Sequence, residues 1–219
     1  MDNIACSILK ANFLNLKETL NTLKDSMIRW IHYDVMDNHF VPNLSFGPWI
    51  LENISNNFDF FLDVHLMVKI EGDIESYLCK YLIKNVKQIS IHIESLNHQQ
   101  ILQTISLCNK NNILLSLAIN PNTPINTLFP YINDLNNILI MSVEPGFGGQ
   151  KFNKIVCEKI KKLCKMRKEC NYKYKLQVDG GVNGENIANI FSLGVDWVVV
   201  GSWFTDNILQ IKDKVKSIG

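Results

Sequence analysis

In "IHYDVMDNHFVPN", residues 31 to 43, His32, Asp34 and Met36 stand two apart inside an apolar run. A spacing of two puts side chains on one face of an extended strand, so these three share a face and Tyr33 and Val35 take the other. "FFLDVHLMV" repeats the pattern with Asp63, His65 and Met67, and "KLQVDGG" with Gln177 and Asp179, the last residue before a glycine turn. Taken singly, a strand histidine is ordinarily a hydrogen-bonded core residue, and a strand-end aspartate a cap for the next helix. Two imidazoles and two carboxylates converging at one end of a sheet are different, because they would be buried charges in need of a partner. A divalent cation is such a partner. Two nitrogens with two oxygens suit zinc, ferrous iron, manganese or cobalt, without selecting among them.

A second group of residues has the chemistry of an anion site. "EPGFGGQKF" (Glu144 to Phe152), "DGGV" (Asp179 to Val182) and "GSWF" (Gly201 to Phe204) each follow an apolar run. Glycine turns that open a helix let backbone N–H groups converge on an anion, and the helix N-terminus adds partial positive charge. One Gly-Gly is most simply a turn. Three turns at the same rim point to phosphate, with charge neutralisation expected mostly from backbone dipoles. Met36, Met67 and Met141 at the level of the cation would supply a soft wall that excludes water while the substrate changes shape.

These residues need elements to position them. Eight β-rich runs recur along the chain: "NIACSIL", "WIHYDVM", "FFLDVHLMV", "QISIHIE", "ILLSLAIN", "ILIMSVEP", "KLQVDGG" and "DWVVVGS". Between them lie stretches of helical period, such as Leu16, Leu20, Leu23 and Met27, or Ile155, Ile160, Leu163 and Met166, or Ile187, Ile190 and Phe191. Eight strands each followed by a helix, with no shift in composition, predict an α/β protein, one (β/α)8 TIM barrel over residues 1–219; a doubly wound open sheet is the runner-up. Such barrels carry their chemistry at the C-terminal strand ends, and the loops after strands 7 and 8 commonly hold phosphate.

Composition bounds the rest. With 219 residues, 47% hydrophobic and 20% charged, the chain can bury one large core and is not disordered. Its 22 basic and 21 acidic residues nearly cancel, and the one dense basic run, Lys159 to Lys168, reads as the solvated face of a helix. Nucleic acid is therefore not an expected partner. The six cysteines include no C-x-x-C pair and no zinc-module spacing, so they read as reduced and mostly buried thiols. No signal, transit or transmembrane pattern is evident, which predicts a cytoplasmic protein with no membrane partner.

The motifs, in their order, resemble the ribulose-phosphate 3-epimerase family. "CSILKANFLNL", "HYDVMDNHFVPNLSFGP", "DVHLMV", "INPNTP", "MSVEPGFGGQKF", "QVDGGVN" and "VVVGSWF" cover nearly the whole chain. The resemblance implies a barrel of the ribulose-phosphate binding type and one divalent ion per subunit, Zn2+ or Fe2+ before Mn2+ or Co2+, held by His32, Asp34, His65 and Asp179. Asp34 and Asp179 would double as the two acid/base groups. It also implies substrate contacts from Ser7 and His65, a cap of Met36, Met67 and Met141, and phosphate held at Gly146, Phe147, Gly148, Gly149, Gly180, Gly181, Gly201 and Ser202. The implied reaction interconverts D-ribulose 5-phosphate and D-xylulose 5-phosphate at C3 through a cis-enediolate, in a homo-oligomer, a dimer being favoured.

Two departures from the family pattern bear on loop shape: Asn12 where an acidic residue is expected, and Asn38 where glycine is usual. His92 and Glu94 share a strand face but are not family ligands, and are expected to be structural or to support the ligands. His39 and His98 are expected in loops. Two other readings remain: a C3 epimerase of a six-carbon ketose phosphate such as allulose 6-phosphate, which differs in pocket depth, and a non-catalytic phosphosugar-binding barrel, which the presence of both aspartates disfavours.

Overall fold

A computed structural model describes residues 3–218. The strands are β1 (Ile4–Ser7), β2 (Trp30–Met36), β3 (Phe61–Met67), β4 (Val86–His92), β5 (Leu114–Ile119), β6 (Asn137–Met141), β7 (Lys175–Asp179) and β8 (Trp197–Val200). They pair in sequence order, all parallel, and β1 closes on β8. This is the TIM barrel that the eight runs predict. No helix among the described residues is long and apolar enough to cross a membrane.

The outer layer is less regular than expected. Helices α1 (Leu16–Asp25), α2 (Pro48–Asn57), α3 (Ile74–Leu78) and α4 (His98–Lys110) follow the first four strands. Helices α5 (Val156–Glu169) and α6 (Ile187–Ser192) follow β6 and β7, and α7 (Ser202–Thr205) and α8 (Ile211–Ser217) follow β8. The connection after β5 has no α-helix, only 3-10 turns over Ile125–Tyr131 with Pro130 inside them. Proline has no N–H to give and clashes with the preceding turn, so Pro130, inside the segment, interrupts an α-helical ladder there.

Three local expectations are corrected in the same way. Helix α1 stops at Asp25, and Met27 sits beyond it at φ 63 and 70% exposed, outside the apolar stripe. Ile155 precedes α5 and is exposed, leaving Ile160, Leu163 and Cys164 to face the barrel. His98 lies in the first turn of α4, next to the Tyr131 hydroxyl, and not in a loop. The cysteines are all free, but only Cys6, Cys108 and Cys164 are buried; Cys79 and Cys170 are exposed. The two departures have plain local roles: Asn12 caps the turn at Leu14, and Asn38 adopts φ 58, a left-handed conformation that asparagine tolerates next best to glycine.

Strand alternation divides the buried residues into two sets. Ile31, Tyr33 and Val35 of β2 pack outward with α1 and α2 residues such as Leu20, Leu23, Leu51 and Ile54. Inside the barrel, Ala5, Trp30, Trp197 and Val199 fill the lower level. The next level is polar and fully buried. Trp197 Nε1 donates to Asn137 Oδ1 (3.2 Å), Asn137 Nδ2 to Gln177 Oε1 (2.7 Å), and Gln177 Nε2 to Asp63 Oδ2 (2.7 Å). Gln88 Nε2 and Ser90 Oγ both donate to Asp63 Oδ1 at 3.0 Å. A buried carboxylate is tolerable when each lone pair has a donor, and here the donors come from three strands.

At the C-terminal rim the loops after β6 and β7 touch backbone to backbone. Gly181 has φ 61, and a Cβ there would lie 2.2 Å from the Phe152 nitrogen and 2.7 Å from the Lys151 carbonyl carbon. No side-chain rotation relieves that contact. Gly181→Ala is expected to lower stability by about 1–3 kcal/mol, read by urea unfolding, because backbone must shift to admit one methyl.

Candidate active site

Strand register does most of the positioning. It sets Ser7 beside His32, Asp34 beside His65, Met36 beside Met67, and Met141 beside Asp179. His32 Nε2 lies 3.1 Å from His65 Nδ1, 3.3 Å from Asp34 Oδ1 and 3.7 Å from Asp179 Oδ2. His65 Nδ1 lies 3.2 Å from Asp34 Oδ1 and 3.8 Å from Asp179 Oδ2. One ligand atom from each of the four residues fits within 4.8 Å of all the others, so the fold assembles the set that the motifs point to.

The chemistry of these atoms fits a cation. His32 Nδ1 is 2.7 Å from Asp63 Oδ2, and both residues are wholly buried. A carboxylate accepts only, so His32 in the neutral form that can ligate carries its proton on Nδ1 and presents a lone pair at Nε2. That lone pair faces the Asp34 and Asp179 oxygens, acceptor against acceptor. A positive ion among them turns the repulsion into ligation, and the Asp63 partner is the carboxylate that commonly orients a ligating histidine. Asp63 lies on the inward face that the spacing picks out, but its part depends on Gln88, Ser90 and Gln177, which no local motif links to it.

For the protein groups alone, burial opposes every charge here, and the neighbours decide the outcome. Burial would lower His32, yet the Asp34 and Asp63 carboxylates hold it well above the ordinary histidine value. Burial would raise Asp34, yet the His32 and His65 imidazoles hold its carboxyl below the usual range. Asp179 is pushed up, by burial first and by the Asp34 carboxylate, against the pull of the two histidines. Ser7 Oγ donates to Asp34 Oδ2 at 2.6 Å and fixes that carboxylate.

Above the four residues opens a cavity of about 700 Å3. Ser7, Asp34, Met36, Met67, Met141, Gly146, Phe147, Gly148, Gly149, Asp179, Gly180, Gly181, Gly201 and Ser202 all reach its wall, while His32 and His65 lie buried beneath. Met36 and Met67 pack with Val41, and Met141 with Val143, on opposite parts of the wall.

One electrostatic expectation is corrected: Lys10, Lys151 and Lys154 also line the cavity, so backbone dipoles are not its only source of positive charge. Lys151 stands within the quoted "GFGGQKF" run; Lys10 belongs to the loop after β1, and its stem packs on Gly148. Lys159 departs from the solvated face assigned to its run, for its Nζ donates to the carbonyls of Asn120, Pro121 and Thr123. Asp37 stays outside the ligand set: its oxygens accept the His39, Phe40 and Lys69 amides and brace the loop after β2. His92 packs against His65, Nε2 to Nε2 at 2.9 Å, and burial lowers it to about 4 against the pull of Glu94, so it is neutral at neutral pH.

Metal uptake should be proton-linked. His32 must be neutral to ligate, and its raised pKa lets protons compete for the same nitrogen, so affinity for zinc is expected to weaken as pH falls. Calorimetry in buffers of different ionisation enthalpy reads the released proton. Asp63→Asn puts an amide NH2 against two donors whichever way it turns. Its zinc affinity is expected to drop roughly 10–100-fold in chelator competition.

Comparison with known proteins agrees with this geometry. A family model described as "Ribulose-phosphate 3 epimerase family" matches residues 3–205. The chain is 37% identical over 215 residues to a ribulose-phosphate 3-epimerase of Helicobacter pylori, covering 98% of this chain and 94% of that one. It is 36% identical over 217 residues to that of Escherichia coli, covering 98% and 94%, and 40% identical over 200 residues to one from Buchnera aphidicola, covering 91% and 86%. Among solved structures, a mutant tryptophan synthase α-subunit from Pyrococcus furiosus superposes with a TM-score of 0.71 at 14% identity, covering 98% of this chain and 96% of that one, a likeness of fold alone. On the family match and these relatives together, the chain belongs to the ribulose-phosphate 3-epimerase family.

Proposed function

We propose that this protein interconverts D-ribulose 5-phosphate and D-xylulose 5-phosphate by moving a proton off one face of C3 and onto the other. Asp34 and Asp179, brought together at the floor of one cavity, carry the reading. They come from β2 and β7, which β1 and β8 separate, so a sugar on the floor lies between them. Asp34 takes the C3 proton from one face, and Asp179 returns one to the other. The roles exchange in the reverse direction, and no electrons are transferred.

His32, Asp34, His65 and Asp179 would hold the divalent ion. When bound, it supplies Lewis-acid stabilisation of the negative charge that develops on the sugar oxygens. Ser7 keeps the Asp34 carboxylate aimed, and Met36, Met67 and Met141 keep water from the reacting carbon. The phosphate is assigned to the rim where the loops after β6, β7 and β8 meet, with Gly146, Gly148, Gly149, Gly180, Gly181, Gly201 and Ser202 offering backbone donors and Lys10, Lys151 and Lys154 adding charge. On resemblance, the same reading takes the protein as a cytoplasmic homodimer.

Asp34→Asn and Asp179→Asn are each expected to cut turnover by at least about 10²–10⁴-fold with the barrel still folded. The check is a coupled assay on variants whose metal content and circular dichroism have been verified; near-normal turnover in either one overturns the two-carboxylate mechanism. For the phosphate, kcat/KM on ribulose is expected to fall far below that on ribulose 5-phosphate. Equal values would rule out the rim assignment.

A further inference from the structure

One buried histidine is left over by the proposed chemistry. His92 ends β4, one strand on from His65, and its ring lies nearly parallel to the His65 ring, with centroids 5.0 Å apart and planes 21° apart. The two Nε2 atoms are 2.9 Å apart. On its far side, His92 Nδ1 lies 3.2 Å from Glu94 Oε2. Glu94 is itself held from the other direction, since its Oε1 accepts the Asn120 amide at 2.7 Å and the Thr123 hydroxyl.

The direction of this chain follows from counting protons. A carboxylate has only lone pairs to offer, so His92 must carry its proton on Nδ1 to meet Glu94. Neutral imidazole has one N–H, which leaves a lone pair on His92 Nε2. The 2.9 Å contact is then a hydrogen bond only if His65 donates from Nε2. His65 Nδ1, the atom that faces Asp34, Asp179 and His32, is thereby left as a lone pair. In the reverse order Glu94 would face a lone pair, and His65 would bring a proton into the cation position.

We propose that His92 and Glu94 are positioning residues for His65, a directed chain in which Glu94 selects the His65 tautomer that ligates through Nδ1. The inference rests on the reading that His32, Asp34, His65 and Asp179 hold a cation. It adds that the ligand is set from outside the cavity, by a carboxylate anchored to the loop after β5. That loop is in turn gripped by Lys159, whose Nζ donates to the Asn120, Pro121 and Thr123 carbonyls at 2.9, 2.9 and 2.7 Å.

Glu94→Gln tests the direction without changing volume. The amide it installs has one acceptor oxygen, and the Asn120 amide with the Thr123 hydroxyl claims it, which turns the NH2 toward His92 Nδ1. His92 must then accept there and donate from Nε2, and His65 is driven to the Nδ1–H tautomer. Zinc affinity by chelator competition is expected to fall about 10–100-fold, while Glu94→Ala, which removes the director without installing an opposing donor, falls less.

The tautomer is read directly from two-bond 1H–15N correlations of 15N-histidine protein loaded with zinc. In the wild type His65 is expected as the Nε2–H form with zinc on Nδ1. Wild-type protein whose zinc-bound His65 keeps a proton on Nδ1 overturns the proposal whether or not the variants fold. So does a Glu94→Gln protein with unchanged zinc affinity and unchanged His65 signals. Wild-type protein that takes up no zinc and shows no shift at His32 or His65 instead defeats the cation reading beneath it, so the two failures are told apart.

Discussion

The hydrogen bond between His32 and Asp63 is the constraint on which the mouth of the barrel depends. A neutral imidazole has one proton to place; placed on the Asp63 side, it leaves a lone pair aimed at Asp34, His65 and Asp179. Asp63 can remain a buried anion only because Gln88, Ser90 and Gln177 also donate to it, with Asn137 and Trp197 behind them. A polar layer that never meets the cavity therefore determines what the cavity can bind. Networks of this kind are all or nothing, since removing one member strands the others in a low dielectric.

Much of this was legible because strand parity is a short-range signal. His32, Asp34 and Met36 announce one face within five residues, and Asp179 before Gly180 and Gly181 announces a strand end. Parity also marked Asp63, His92 and Gln177, but not what they do. Their partners stand up to 114 residues away in the chain, and only barrel closure brings them together. Lys10 shows the same limit, reaching the cavity from the first loop. The missing helix after β5 was open to local reasoning, for the prolines there are plain in the sequence. The left-handed turn at Met27 was not, because an apolar residue at helical spacing carries no mark of the backbone conformation it will adopt.

The fold alone decides little of the chemistry. A barrel at 14% identity superposes closely on this one, so the architecture is shared with proteins whose strand ends carry other residues. What individualises this barrel is the distribution of charge across its upper level. Asp34 and Asp179 are the same side chain in the same cavity, yet contacts with the two histidines hold one down while burial and its neighbour push the other up. The same residue type thus meets two different environments within one cavity.

The four residues that would hold the ion also have an order of arrival. His32, Asp34 and His65 lie on adjacent strands near the start of the chain, and Asp179 comes on β7, after three further strands have intervened. As the polypeptide is synthesised, an incomplete nest of three donors exists long before the fourth, and becomes whole only when the sheet curls shut. An ion taken up by all four would thus act as a latch, favouring the closed ring over every partly wound form of the chain and joining its first third to its last.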